Sequence, residues 1–198
     1  KALDLMKSGL VPPATGDPLH NPEYEMIDAQ LTTEIFGLYA PGRPDMAVKM
    51  ATLPIQTTAR EESEWISAFY VRLFSLATAL DSSLPIKEQL FQFAEQAAGD
   101  FPETSYSKAM YRFVKSLYAS GIPWEQARDS VYQRYQVEQK DGYTMTGKNL
   151  YCNGCYAAGI NFAASLVSLF YGEGDLKETI RIGALAGWDS DNPTATWG

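Results

Sequence analysis

From Asn149 to Gly172 the chain carries no charged side chain. A stretch of that length and polarity must find cover, and two environments offer it: a bilayer, or the interior of a packed protein. Asn149, Asn153, Asn161, Ser165 and Ser168, together with Gly154 and Gly159, make it a poor membrane span. The better expectation is a helix from about Cys155 to Tyr171, buried in a protein core and surrounded by other elements. The rest of the chain must supply those elements. Its 198 residues include 45% hydrophobic and 20% charged side chains, which suits one well-buried domain that needs no metal or disulfide staple.

Apolar residues recur at helical spacing almost throughout, and no run alternates with period two. The fold class expected is therefore all-α. A helix is predicted from about Tyr24 to Tyr39 with Ile27, Leu31, Phe36 and Leu38 mostly inward, then a turn at Pro41-Gly42-Arg43-Pro44. Pro44 suits the first turn of the next helix, expected through about Met50. A long helix follows from about Ser63 to Leu80, with Trp65, Phe69, Leu73, Leu76 and Leu80 forming one stripe. Others are predicted over Pro85 to Ala98, Ser105 to Ala119 and Pro123 to Tyr135, with a loop from Gln136 to Asn149. Asp175 followed by Glu178 reads as a capping-box start for a helix through Ala186. The opening ALDLMKSGL reads as the tail of a helix closed by Gly9. Both ends of the sequence look cut, so the expectation is an interior piece of a longer protein.

The net charge of -8 repels polyanions, and the scattered basic residues form no patch, so neither a nucleic-acid nor a membrane partner is expected. Cys152 and Cys155 make a CxxC, but a zinc site needs two more ligands, and the only histidine is His20 in a Pro-rich loop. Inert thiols or one tight disulfide are the readings left.

The segment that carries chemistry is Gly187-Trp188-Asp189-Ser190-Asp191-Asn192-Pro193-Thr194. Two carboxylates at i and i+2 in a loop can converge on one point, where they repel unless a cation or a proton neutralises them. Hard oxygen donors favour Mg²⁺, Mn²⁺ or Ca²⁺. The plainer alternative is an Asx turn in which Asp189 or Asp191 caps the helix that follows.

The stretch GALAGWDSDNPTATWG, preceded by NFAASLVSLFYGEGDLKETI, resembles the C-terminal signature of the ADP-ribosylglycohydrolase family, which includes DraG-like and crystallin J1-like members. QLTTEIFGLYAPGRPDMAVKMATLPIQTTAREESEWISAFYVRLFSLA is similar to the family's central helices. The resemblance implies an all-α fold holding two Mg²⁺ or Mn²⁺ ions and hydrolysis of an ADP-ribosyl glycosidic bond, the ADP-ribose being free or protein-linked. Carried over by position, Asp189, Asp191 and Asn192 would be metal ligands, with Asn192 where many members have Thr. Asn161 matches an Asn that opens the family's core helix and would be substrate-binding, with a satisfied buried amide as the alternative. Read from their own positions, Trp188 and Ser190 beside the acid pair and Gln30 or Glu34 on the helix before APGRP are further substrate-binding candidates, with a half-buried anchor as the alternative for Trp188. The family's early Thr-Asp-Asp has no counterpart, since Glu61-Glu62 is the only adjacent acidic pair; those ligands are expected in an N-terminal segment upstream of Lys1, and this piece alone should be inactive. Thr57-Thr58 replaces a common Thr-His, which points to a divergent branch. The rival expectations are a non-catalytic crystallin J1-like protein with an eroded site, and a same-fold hydrolase of another glycosyl compound. A soluble protein is expected, with a lean to export in relatives of similar wording.

Overall fold

The computed structural model describes residues 1–197. Helices account for most of them, with no β-strand among the described residues. The chain divides into two compact units, Lys1–Asp100 and the part from Phe101 onward.

The first unit begins with α1 (Ala2–Lys7), which ends where Gly9 takes a positive φ of 93° and Leu10 N–H donates to the Leu5 carbonyl at 3.0 Å. The predicted helix over Tyr24–Tyr39 is broken in two, α2 (Asp28–Thr33) and α3 (Phe36–Tyr39). No glycine or proline causes the break. Thr32 and Thr33 turn their hydroxyls back onto the Asp28 and Ala29 carbonyls, at 2.9 and 2.6 Å, a habit that bends helices. The break also reverses the expected inward face: Ile27 is buried, but Leu31 and Leu38 are exposed, and Ala29, Gln30, Thr33 and Gly37 turn inward instead. At Gly37 a Cβ would lie 2.5 Å from Phe74 Cβ and 2.6 Å from the Val71 carbonyl, so α3 approaches its neighbour as closely as only glycine permits.

That neighbour is α5 (Glu61–Ala77), and between them in sequence runs α4 (Pro44–Ile55), opened by Pro44. α4 is longer than predicted because Ala47, Ala51 and Ile55 continue one buried stripe past Met50. Ala29, Ala40, Ala47, Ala51, Ile55, Ala59 and Val71 form a core dominated by alanine, which lets the helix axes come close. Ser75 fastens the α3–α4 turn to α5: its hydroxyl donates to the Ala40 carbonyl at 2.6 Å and accepts from Arg43 N–H at 3.1 Å. α6 (Ile86–Ala98) completes the unit.

The second unit is built around the uncharged segment. α9 (Ala158–Gly172) is buried at every position except Tyr171. Its neighbours are α7 (Tyr106–Ala119), α8 (Trp124–Val131), α10 (Leu176–Leu185) and α11 (Asp191–Trp197). Each buried Ile, Leu or Phe of α9 contributes about 1.5–3 kcal/mol relative to exposure. α10 can lie close because Gly172 faces Thr179, where a Cβ would fall 2.0 Å from Thr179 Oγ1. Asp175 caps α10, its Oδ1 accepting from Glu178 N–H at 2.8 Å, and Ser105 caps α7 in the same manner, accepting from Lys108 N–H at 3.1 Å. The predicted helix to Tyr135 instead stops at Val131 and widens into a π-helical turn over Tyr132–Val137. There Tyr135 is buried, and Arg134 lies over the Phe113 ring at 4.8 Å while donating twice to Asp141, at 3.0 and 3.1 Å. No helix of the described residues is long and apolar enough to cross a membrane.

Candidate functional site

The acidic loop joins α10 to α11. Gly187 and Trp188 have positive φ, 100° and 55°, and this pair of left-handed residues turns the chain so that Asp189 heads back toward α9. Asp189 N–H donates to Asn161 Oδ1 at 3.2 Å. Asn192 N–H then donates to the Asp189 carbonyl at 2.9 Å, and α11 starts at Asp191.

Asp189 is half-buried and Asp191 is exposed. The Asp189 carboxyl is pushed above the usual carboxylate range, first by burial, then by the charge of Asp191 and by a hydrogen bond with the Asp191 side chain. The two carboxylates therefore face each other, as converging acids at i and i+2 should. Among the described residues, no three His, Cys, Asp or Glu side chains gather into a group able to hold a metal ion. Asp189 and Asp191 stand as a pair.

Asn192 is buried, and its Oδ1 accepts from Thr196 Oγ1 at 3.3 Å within α11. Ser190 offers its carbonyl to Thr194 Oγ1 at 2.8 Å. Trp188 is half-buried; with the Gln136 amide oriented so that both its ends find partners, Trp188 Nε1 donates to Gln136 at 3.3 Å and Gln136 donates to the Asn153 carbonyl at 3.3 Å. At the far end of α11, Trp197 Nε1 donates to the Ser165 carbonyl at 3.0 Å and pins the helix against α9.

Asn161 is fully buried. Its Nδ2 donates to the Cys155 carbonyl at 2.7 Å and the Ala157 carbonyl at 2.9 Å, so both ends of the amide are spent on backbone. Gln30 and Glu34 belong to the first unit, Gln30 buried in α2 and Glu34 half-buried at its C-terminus. Of the expected residues, the second unit thus brings together Asp189, Asp191 and Asn161, with Trp188, Ser190 and Asn192 in the same loop and helix.

The sequence reading missed Gln136 and Thr196, since neither spacing nor composition marks them. It left the cysteines open; they pair as a Cys152–Cys155 disulfide with Cα atoms 5.5 Å apart. Lys108 is largely covered and sits 3.3 Å from Glu103, which also pairs with Arg112 at 2.8 Å.

Comparison with protein-family models, with curated proteins and with solved structures finds no match.

Proposed function

We propose that this chain contributes to metal-dependent hydrolysis of an ADP-ribosyl glycosidic bond, with Asp189 and Asp191 as carboxylate ligands of a Mg²⁺ or Mn²⁺ centre. The observation that carries the reading is the mutual proximity of the two carboxylates in a half-buried loop, where Asp191 raises the proton affinity of Asp189. A half-buried acid whose ionisation is penalised by burial and by a neighbouring carboxylate belongs to a donor set that a hard divalent cation would relieve. The resemblance of this loop and of the helices before it to the ADP-ribosylglycohydrolase signature supplies the substrate class.

The donor chemistry fits such a cation in part. Asp189 and Asp191 would hold it, while Asn192 already gives its amide oxygen to Thr196 and Ser190 gives its carbonyl to Thr194. The family pattern draws further ligands, and a second ion, from a Thr-Asp-Asp cluster that these 198 residues do not contain. When bound, the cations supply a Lewis-acid centre for the ribose hydroxyls and the attacking water. The protein's own part is positional: Asn161 fixes the Asp189 backbone, and the left-handed pair Gly187 and Trp188 directs both acids to one side of the loop.

The inward engagement of Asn192 and the lack, among the described residues, of a third ligand grouped with the two acids favour the second reading, a non-catalytic crystallin J1-like relative with an eroded site. One experiment separates the two. Mg²⁺ binding by calorimetry and release of ADP-ribose from an ADP-ribosylated peptide should both be abolished by Asp191→Ala. Unchanged turnover would remove these carboxylates from the mechanism, and a folded wild type that neither binds Mg²⁺ nor releases ADP-ribose would favour the eroded site.

A further inference from the structure

Two hydrogen-bond relays leave the tight loop closed by Cys152 and Cys155, and both arrive at the acidic loop. The first runs from the Cys155 carbonyl to Asn161 Nδ2 at 2.7 Å, and from Asn161 Oδ1 to Asp189 N–H at 3.2 Å. The second runs from the Asn153 carbonyl through the Gln136 amide to Trp188 Nε1, with both steps at 3.3 Å. Adjacent residues of the acidic loop are therefore anchored, by separate routes, to adjacent turns of one disulfide-closed loop.

That loop is held in an unusual backbone state. Cys152, Asn153 and Gly154 all have positive φ, 45°, 56° and 78°. Glycine adopts this region freely and asparagine readily, but cysteine does so against a steric penalty between its Cβ and the backbone. The disulfide spans this left-handed run, and the exposed rings of Tyr151 and Tyr156 stack across it with planes 9° apart. Cys152 is exposed and Cys155 half-buried, so Cys152 is the more accessible partner for a reductant in solvent.

We propose that the Cys152–Cys155 disulfide is a thiol-sensitive latch that sets the position of the acidic loop through Asn161 and Gln136. A dithiol reductant opens it by exchange. Its thiolate attacks the Cys152 sulfur, the S–S bond breaks, and Cys155 leaves as a thiolate that takes a proton from solvent. The second thiol of the reductant then displaces Cys152, so the reductant becomes a disulfide and the protein gains two thiols. Without the cross-link Cys152 relaxes from its left-handed conformation, the peptide planes that follow rotate, and both carbonyl anchors move. The Asn161 amide then keeps only its Ala157 partner and Gln136 loses the Asn153 carbonyl, so the tethers of Asp189 and Trp188 loosen while α9 and α10, held by their own packing, stay in place. The consequence for cation binding rests on the metal reading above; the latch itself does not.

The test is hydrogen exchange on the full chain, with and without dithiothreitol. Reduction should speed exchange of the peptide covering residues 186–190 about tenfold or more, with α7 and α10 unchanged. Cys152→Ser should reproduce this without reductant, and in Asn161→Ser the reductant should change the loop's exchange much less than in the wild type. Unchanged exchange at 186–190 on reduction overturns the latch. So does acceleration that is equal throughout the second unit, since the disulfide would then be a general staple. Calorimetry with Mg²⁺ alone separates the two readings. Affinity falling about tenfold on reduction supports both, as expected when the support of a ligand is withdrawn. Loop loosening in a protein that binds no Mg²⁺ in either state upholds the latch and overturns the metal site.

Discussion

Asp189 and Asn161 are joined by a hydrogen bond that spans 28 residues of sequence and ties the acidic loop to the first turn of α9. The bond is directional: the Asp189 backbone donates and the Asn161 amide oxygen accepts, which leaves the Asp189 carboxyl at liberty to face Asp191. Replacing Asn161 by Ala strands the Asp189 N–H and takes a donor from two carbonyls, Cys155 and Ala157. Unsatisfied buried groups are expensive, so Asn161→Ala should lower unfolding free energy in urea by about 3 kcal/mol. A loss below about 0.5 kcal/mol would show that the amide is not a structural tie.

The raised proton affinity of Asp189 fixes the sign of a pH effect in metal-free buffer. The folded chain keeps this proton to a higher pH than the unfolded chain does. Stability therefore falls as pH rises from the ordinary carboxylate range through the raised folded value. The half-exposed setting screens the effect, so Asp189→Asn should raise Tm at pH 7 by about 2 °C. The gain should vanish below about pH 3, where the wild-type carboxyl is protonated in both states. Thermal scans across pH with a chelator present measure it, and an Asn variant less stable at pH 7 would refute it.

Gly172 and Thr179 set how near α9 and α10 can come. An added Cβ at Gly172 would fall 2.8 Å from Thr179 Cα, a backbone atom that cannot swing aside. Gly172→Ala should destabilise the protein by about 1–3 kcal/mol through overpacking. The double variant with Thr179→Ala should recover little of it, because the clash with the main chain remains. Full recovery would place the whole conflict on the Thr179 side chain.

Asp175→Ala removes the side-chain cap of α10, whose Oδ1 accepts from Glu178 N–H at 2.8 Å. The expected cost is about 1 kcal/mol, concentrated as faster amide exchange in the first turn of α10. Asp175→Ser, which can also cap, should restore most of it. A cost equal for Ala and Ser would mean that the cap is not what Asp175 supplies.

What the amino-acid order made legible was whatever chemistry acts locally. Pro44 opening α4, Asp175 with Glu178 opening α10, and the burial of α9 all follow from residues within a turn or two of the feature they predict. The break between α2 and α3 escaped because it depends on Thr32 and Thr33 bonding backward onto the main chain, which a hydrophobic stripe does not encode. The π-helical turn escaped for a similar reason, since Asp141 recruits Arg134 and Tyr135 from outside the helix. At the acidic loop the carboxylate pair was readable from spacing, and the Cys152–Cys155 bond was one of two open readings. Their connection through Asn161 and Gln136 was not readable, because it exists only once α9 brings distant segments side by side.

α9 has one further property. A helix covered at every position but one has no dry side on which to slide and no wet side on which to roll, so its length acts as a fixed rod. From Ala158 to Gly172 that rod measures about 21 Å at 1.5 Å per residue. Asn161 stands near one end and the Thr179 contact at the other, so the distance between the acidic loop's tether and the α9–α10 corner is dictated by residue count. Deleting or inserting a single residue there would turn everything beyond it by about 100° and leave no alternative seating.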